Sequence, residues 1–133
     1  MAYQPVLKNE WGTVQYETTD HYIYHTIHKD LPPAELRTIL DTGLDSLKAN
    51  RAQKWLSDDR KYVTVTPEAI EFTLQSWGPR AAAAGWKYWA MVAPESAIGR
   101  AGMQEVVEIF YNLGVRMAIF SDLDEARAWL VQL

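Results

Sequence analysis

The segment from Trp86 to Ala93 constrains the fold of this chain more than any other. It is apolar at every position except Lys87, and Pro94 ends it. A strand with one face in solvent alternates apolar and polar residues, whereas a strand covered on both faces does not. The run therefore predicts a central strand with helices on both faces of its sheet. A similar run from Val115 to Phe120 predicts a second buried strand.

Two segments near the start of the chain have the composition of β-strands. Thr13 to Glu17 and Tyr22 to His28 are rich in β-branched and aromatic residues, which favour strands. The polar residues Thr18 to His21 separate them, so we expect an antiparallel hairpin. Further along, Gln53 to Ser57 is a short strand candidate, and Tyr62 to Val65 is a second extended candidate.

Apolar residues recur at helical spacing most clearly between Pro33 and Ala49. Asp30 precedes this segment as a possible N-cap, and a proline suits the first helical turn. Gly43 falls on the apolar face of the predicted helix. Its missing side chain favours close packing against a sheet, and a hinge is the less favoured interpretation.

Two further helices begin at capping residues. Thr66 is a predicted N-cap, followed by Pro67 at the first helical position. Pro79 is expected to kink that helix or to start a new turn, because proline cannot donate a backbone hydrogen bond. Asp122 precedes Glu125 by three residues, the spacing of a capping box at the start of the last helix. The helix between these two has the apolar residues Met103, Val106, Val107 and Phe110.

These elements follow the order β-β-α-β-α-β-α-β-α over 133 residues, a length that fits one domain. Strands that alternate with helices pair in parallel through right-handed crossovers. We therefore predict a single α/β domain spanning 1–133. Its mixed β-sheet has the N-terminal hairpin plus parallel strands, flanked by about four helices.

Composition excludes several kinds of protein. The chain has no cysteine, which excludes a disulfide framework, a thiolate metal site and a cysteine nucleophile. Its net charge of −4 argues against non-specific binding to nucleic acid. No apolar run approaches the ~18 residues of a membrane span, and the first residues do not resemble a signal peptide. We therefore expect a cytoplasmic protein with no stable membrane insertion.

Charged and polar residues follow two of the predicted strands. Asp58 and Arg60 come after the strand that begins at Gln53, and Ser96 and Arg100 come after the central strand. Ligands bind beyond the carboxyl ends of the strands in open α/β sheets, so these residues are candidate ligand or partner contacts. Glycines around Arg100 can also expose backbone N–H groups to an anion. The simpler interpretation is a solvated helix cap with a local salt bridge.

A catalytic interpretation of the same region has less support. Asp58 and the adjacent Asp59 are a candidate acid and base pair. Side chains of adjacent residues usually point apart, and no nucleophile motif of the form Gly-x-Ser-x-Gly accompanies them. We therefore predict no catalytic residue.

Six tryptophans are a high number for a chain of this size. Most of them are expected in the core, because each indole buries a large area. Burying all of them fully is difficult in a small domain, and tryptophan is favoured at binding surfaces. Trp77, Trp86 and Trp89 are therefore candidates for an aromatic groove or a self-association surface. Trp89 and Met91 are expected on one face of their strand, with Trp86 and Tyr88 on the other.

His21, His25 and His28 lie close together in the sequence and at first suggest a metal site. Alternation along the strand places His25 with Ile23 and Ile27 and turns His28 to the other face, so they cannot chelate one ion together. We expect no metal and no cofactor. A core or edge histidine is the favoured interpretation, and His25 would sense pH if it were partly buried.

Four segments from about residue 13 onward carry a family resemblance. They are Lys54 to Arg60, Thr66 to Glu68, Ala84 to Ala90 leading to Pro94, and Phe120 to Leu130. With the order of elements, they resemble the SpoIIAA-like branch of the STAS/SEC14-like domain superfamily. The closing Asp-Glu-Ala-x-x-Trp-Leu is the most telling part. The resemblance implies a small α/β domain that acts by protein contact or ligand binding, without known catalysis.

Anti-sigma-factor antagonists of this superfamily carry a phosphorylatable serine in an Asp-Ser-Ser-Gly-like motif at the start of a helix. The corresponding segment here is Tyr62 to Glu68, in which Thr66 lies closest to the switch position. No second hydroxyl-Gly pair follows, so the sequence departs from that motif. By this resemblance, Thr66 is the candidate phosphorylation site.

The sequence favours a non-enzymatic regulatory or protein-interaction module that forms a homodimer. The alternative is a protein that binds a small apolar ligand or lipid in an aromatic-lined groove, which the tryptophans and the SEC14-like relationship support. An enzyme that uses Asp58, Asp59 or Arg100 is a third hypothesis. The predicted ligand- or partner-binding residues are Asp58, Arg60, Thr66, Trp77, Trp89, Ser96 and Arg100.

Overall fold

Six β-strands form one sheet in the computed structural model, which describes residues 2–96 and 103–133. The strands are β1 (Tyr3–Lys8), β2 (Gly12–Glu17), β3 (Tyr22–Ile27), β4 (Lys54–Asp58), β5 (Tyr88–Val92) and β6 (Arg116–Phe120). They lie side by side in chain order. The pairs β1–β2 and β2–β3 are antiparallel, and the pairs from β3 to β6 are parallel. The predicted α/β domain with a mixed sheet is confirmed. The prediction of a second buried strand is wrong, because β6 lies at the edge of the sheet and none of its residues is buried.

Helices connect the parallel strands and cover the sheet. They are α1 (Pro33–Asn50), α2 (Pro67–Glu71), a π-helical turn (Phe72–Trp77), α3 (Gly78–Ala83), α4 (Met103–Asn112) and α5 (Leu123–Val131). Each crossover moves one strand further in the same direction, so right-handed connections place their helices on one face. We call this the crossover face. The C-terminal α5 packs on the opposite face, which we call the α5 face, against β4, β5 and β6.

The alternation of side chains along β4 shows how the sheet divides the core in two. Trp55 belongs to the larger cluster on the crossover face, whereas Leu56 belongs to the cluster under α5. Ser57 follows Trp55 by two residues and Asp58 follows Leu56, so these two polar side chains lie on opposite faces. This division decides which polar residues can meet in one site.

Strand β1 was not predicted from the sequence. It pairs with β2 at the edge of the sheet, and its register shifts between Pro5 and Leu7. Proline lacks the N–H group of a ladder hydrogen bond, so it is tolerated at edge strands and bulges. Pro5 therefore makes this segment look unlike a strand, although its place at the edge accommodates the proline.

Two expectations about Asp30 and the loop after β4 are wrong. Asp30 is not the N-cap of α1, because that helix begins after Pro32 with no side-chain cap. Its Oδ1 accepts hydrogen bonds from the backbone N–H groups of Val63 at 3.0 Å and Thr64 at 2.8 Å. These N–H groups are bonded to a side chain, and the extended candidate from Tyr62 to Val65 forms no strand.

Pro79 lies in the first turn of α3, which agrees with the prediction that this proline starts a new turn, although the chain stays helical through it. The helix runs from α2 through the π-helical turn into α3, and the N–H of Gly78 bonds to the carbonyl of Thr73. This i to i−5 bond widens the turn just before Pro79, which has no N–H of its own to donate. A Cβ at Gly78 would lie 2.7 Å from that carbonyl oxygen and 2.8 Å from the Phe110 ring, so the close packing requires glycine.

Candidate functional site

A cavity of about 90 Å³ lies on the crossover face, toward the carboxyl ends of β3, β4 and β5. The floor of the cavity is formed by side chains that lie on the strands or directly after them: His25, Trp55, Asp59, Trp89 and Met91. Apolar side chains of α1, α2, the π-helical turn and α4 form most of its walls: Leu36, Leu40, Ala69, Ile70, Leu74, Trp77 and Val106. Tyr62, Val65, Thr73 and Pro94 complete the lining.

His25 lies at the centre of a buried hydrogen-bond chain. The indole Nε1 of Trp55 donates to His25 Nδ1 at 2.9 Å, and His25 Nε2 lies 2.7 Å from Asp59 Oδ1. An indole nitrogen can only donate, so Nδ1 of His25 must offer its lone pair and Nε2 must carry the proton. His25 Nε2 therefore donates to Asp59. Both ring nitrogens are engaged, and the histidine fixes the direction of the Asp59 carboxylate.

The second oxygen of Asp59, Oδ2, is the polar atom that this arrangement leaves available. Asp59 is 5% exposed. Among the described residues, the bond from His25 to Oδ1 is the only one to its side chain. No fully buried side-chain N or O atom in the described part of the chain lacks a partner, so Oδ2 must reach open space. Asp59 is also one of the residues that line the cavity.

Tyr62 lines the same cavity. It follows Asp59 by three residues, and its backbone N–H donates to the Asp59 carbonyl at 3.0 Å. Burial, reinforced by the negative charges of Asp59 and Asp30, raises the pKa of Tyr62 to about 12. The phenol therefore keeps its proton at neutral pH and can donate or accept a hydrogen bond.

Hydrogen bonds hold the loop that carries Asp59 and Tyr62 at the edge of the cavity. The Asp59 N–H donates to the carbonyl of Val92 at 3.1 Å, which ties the start of the loop to β5. Asp30 binds the far end through Thr64, as described above. Burial alone would raise the pKa of Asp30, but the hydrogen bonds from Thr64 and Val63 hold it below its usual range. The loop is therefore fixed at both ends.

The three tryptophans of the cavity are fixed by their indole nitrogens. Trp77 donates to the carbonyl of Leu40 at 2.8 Å, and Trp89 donates to Ser57 Oγ at 2.7 Å. Trp55 donates to His25, and its ring packs edge-on against Trp77 with centroids 5.1 Å apart. The cavity thus has rigid aromatic walls.

Gly43 allows α1 to approach this wall. A Cβ at Gly43 would overlap the indole of Trp55 and would lie 2.7 Å from its Cζ2 atom. The glycine is on the buried face of α1. The predicted close packing against the sheet is confirmed, and its contact is a residue of the cavity.

The π-helical turn contributes Thr73, Leu74 and Trp77 to the cavity. Such turns are rare within helices and are frequent at functional sites, because they re-aim side chains relative to a regular α-helix. Pro79 in the sequence was the indication of an irregular helix, although not of its form.

Asp58 and Arg60 form a pair away from the cavity. Arg60 donates from Nε to Asp58 Oδ1 at 2.9 Å and from Nη2 to Oδ2 at 2.7 Å. Burial alone would raise the pKa of the Asp58 carboxyl, but the hydrogen bonds and charge of Arg60 hold it below its usual range. Asp58 lies on the α5 face by its register in β4, and neither residue lines the cavity. The divergence of Asp58 from Asp59 is confirmed.

Trp77 and Trp89, two of the predicted groove residues, line the cavity, and Trp55 joins them. Trp86 was predicted on the same strand face as Tyr88, and this is wrong. Its ring packs against Trp89 with centroids 5.3 Å apart, while Tyr88 packs in the cluster under α5. Trp86 precedes the first residue of β5, so the alternation of a strand does not apply to it.

Two further predicted residues, Thr66 and Ser96, lie outside the cavity lining. Thr66 is the N-cap of α2, as predicted, and its Oγ1 accepts a hydrogen bond from the N–H of Ala69 at 3.1 Å. Ser96 lies at the end of the segment after β5 and is half-buried. Arg100 lies outside the described residues. Phosphorylation of Thr66 stays a prediction.

The three histidines do not meet. His25 is buried, whereas His21 and His28 are exposed, so the predicted divergence of His25 and His28 is confirmed. Within residues 2–96 and 103–133, no group of three or more potential ligands is placed to hold a metal ion.

Comparisons with protein-family models, with curated proteins and with solved structures found no match to this chain. The SpoIIAA-like family, the homodimer and the protein partner therefore stay predictions. None of the helices in the described part of the chain is both long and apolar enough to cross a membrane.

Three polar residues of the site were not among the predicted ligand- or partner-binding residues: His25, Asp59 and Tyr62. The alternation of β3 already placed His25 on an apolar face, where a histidine needs hydrogen-bond partners. Asp59 directly follows the neighbouring strand, and its carboxylate was available to accept a hydrogen bond from that histidine. A histidine on an apolar strand face, together with a carboxylate directly after the neighbouring strand, was the signal in the sequence that could have indicated this site.

Proposed function

We propose that this protein binds a small, largely apolar molecule in the cavity between β3–β5 and the crossover helices. The observation that carries the proposal is the cavity itself, which has tryptophan side chains and the buried carboxylate of Asp59 in its lining and a volume of about 90 Å³. Small-molecule sites typically combine mostly apolar walls with a few fixed polar groups that orient the ligand.

The volume limits the ligand. A dry apolar cavity of ~150 Å³ is large enough to bind benzene. A cavity of about 90 Å³ that opens to the surface therefore fits an organic molecule with fewer non-hydrogen atoms than benzene, or the end of a longer apolar chain that leaves through the opening. Ile70 is 40% exposed and also lines the cavity, so the opening lies beside α2.

Binding explains the polar groups better than acid–base catalysis. Both nitrogens of His25 are engaged, by Trp55 and by Asp59, so the ring has no free site for proton transfer. Ser57 is fully buried and its hydroxyl accepts the indole N–H of Trp89, which makes it a packing residue rather than a nucleophile. Asp59 and Tyr62 can hold a polar group in place.

The test is a titration of ¹⁵N-labelled protein with isobutanol, a compact molecule with a hydroxyl group, followed by two-dimensional NMR. We expect saturable shifts of the indole N–H signals of Trp55, Trp77 and Trp89. Ala69 is buried and lines the cavity, so Ala69→Leu should fill the space and abolish the shifts. Ala49→Leu, at an exposed position of α1, is the matched control and should leave them unchanged.

Two results would contradict the proposal. One is the absence of saturable indole shifts in the wild-type protein. The other is equal binding by the wild-type protein and by folded Ala69→Leu. Ala69→Val adds less bulk and should weaken binding in the same direction.

A further inference from the structure

The polar end of the cavity holds a carboxylate without a full set of partners. The side chain of Asp59 is 7% exposed. Its Oδ1 accepts the His25 N–H, while Oδ2 has no hydrogen bond from any described residue. Burying a charged group is costly unless it is paired and hydrogen-bonded. A ligand that donates to Oδ2 would remove this cost.

The positive charges near Asp59 in the described part of the chain are paired with other groups. Arg60 is adjacent to Asp59 in the chain but bonds through two nitrogens to Asp58. His25 carries one ring proton, because Nδ1 accepts the N–H of Trp55. The described residues that line the cavity include no lysine or arginine. The charge of Asp59 is therefore available to a cation that enters the cavity.

The walls suit a cation that carries a hydrocarbon group. Trp55, Trp77 and Trp89 line the cavity together with Tyr62. Aromatic rings attract ammonium groups through cation–π interactions, most strongly for tryptophan and where water is excluded. Aliphatic side chains of Leu36, Leu40 and Leu74 line the rest and match an alkyl group.

We propose that the ligand of this cavity is a small alkylammonium ion, the protonated form of a compact primary amine. Its N–H groups donate to Asp59 Oδ2 and to the hydroxyl oxygen of Tyr62, and its alkyl group packs against the tryptophans and leucines. His25 is a positioning residue that aims Oδ2 into the cavity. This inference rests on the proposed binding function and specifies the class of ligand.

The test compares three molecules of similar shape and different charge by isothermal titration at neutral pH. Isobutylammonium is the cation, isobutanol the neutral molecule and isobutyrate the anion. A charge-assisted hydrogen bond should make the affinity for isobutylammonium about tenfold to hundredfold higher than that for isobutanol. Isobutyrate should bind weakest, because Asp59 repels it.

A matched pair of variants locates the effect. Asp59→Asn should reduce the affinity for isobutylammonium about tenfold or more and reduce the affinity for isobutanol by a smaller factor, because an amide can still hydrogen-bond a neutral hydroxyl group. Asp58→Asn removes the same charge from the adjacent residue on the α5 face, so it should leave both affinities unchanged. This control separates the local carboxylate from the overall charge of the protein.

Each outcome of these titrations supports or contradicts the alkylammonium inference. If isobutanol binds and isobutylammonium binds no tighter, the alkylammonium inference is wrong while the proposed binding function stands. Tighter binding of isobutyrate, or equal losses in Asp59→Asn and Asp58→Asn, would also overturn it. If none of the three molecules binds, both proposals fail. The comparison in the wild-type protein remains decisive even if Asp59→Asn does not fold.

Discussion

Replacement of His25 by leucine tests the hydrogen-bond chain under the cavity. His25→Leu leaves the indole N–H of Trp55 and the Oδ1 atom of Asp59 buried without their partners. Each unsatisfied buried group costs about 1–3 kcal/mol, with more for a charged one, so we expect a loss of about 4 kcal/mol. At an m-value of about 2 kcal/mol/M, the urea midpoint would fall by about 2 M.

The second step adds Asp59→Asn to both backgrounds and measures urea unfolding of all four proteins by circular dichroism. In His25→Leu the carboxylate is stranded, so its removal should help that variant. The effect of Asp59→Asn should be about 2 kcal/mol more favourable there than in the wild-type protein. His28→Leu, at the exposed histidine after β3, is the control and should change stability by less than about 0.5 kcal/mol.

Additive effects of His25→Leu and Asp59→Asn on stability would contradict this prediction. A coupling of less than about 0.5 kcal/mol between the two substitutions would mean that the bond between His25 and Asp59 contributes nothing specific. A loss in His25→Leu as small as the loss in His28→Leu would mean that the buried chain is not required for stability.

Three further predictions concern the supports of the site and of the sheet. Gly43→Ala should destabilise the protein by about 1–2 kcal/mol in urea unfolding, because overlap with Trp55 outweighs the gain in helix propensity, whereas Asp45→Ala on the exposed face of α1 should not. Glu17→Gln should cost about 2 kcal/mol, since the buried carboxylate accepts backbone N–H groups of the N-terminal segment and the β2–β3 turn, and an unchanged midpoint would contradict this. The folded pKa of Asp58 lies below its ordinary value of 3.8, so its contribution is present above that pH and is lost as pH falls through the folded pKa. Wild-type protein should therefore lose more stability than Asp58→Asn between pH about 5 and pH about 2, and parallel losses would refute the account.

Local patterns were sufficient to predict most of the fold. The apolar runs at β5 and β6, the periodicity of α1 and the caps at Thr66 and Asp122 each depend on residues close in sequence. For Asp30, where the prediction was wrong, a contact distant in sequence was responsible. Asp30 binds a loop more than thirty residues away instead of capping α1, because the tertiary fold brings those N–H groups to it.

The candidate site depends on strand register, which the sequence did not provide. His25 and Asp59 are 34 residues apart, and they meet because β3 and β4 pair in parallel with His25 opposite Ser57. The sequence prediction named Asp58 and Arg60 because they are charged residues that follow a strand. In the structure they neutralise each other on the α5 face. The buried carboxylate with an available oxygen was the residue next to them.

There is a physical reason why the sequence pointed to Asp58 and Arg60 and not to Asp59. An exposed charged loop and a functional one have the same composition, so residue type alone favoured the ion pair of Asp58 and Arg60. The orientation of Asp59 follows only once the chain turns at the end of β4 and the indole of Trp55 fixes the tautomer of His25. The aromatic-groove hypothesis was closer to the observed cavity, because it named Trp77 and Trp89, whose large buried side chains form part of the cavity lining.

A crystal structure of the protein saturated with isobutylammonium would show whether the cavity binds an ammonium group at Asp59. We expect one ordered ligand in the cavity, with its nitrogen about 2.8 Å from Asp59 Oδ2 and its alkyl group between Trp55, Trp77 and Trp89. A cavity that stays empty at saturating ligand, or an ammonium group bound away from Asp59, would contradict this expectation.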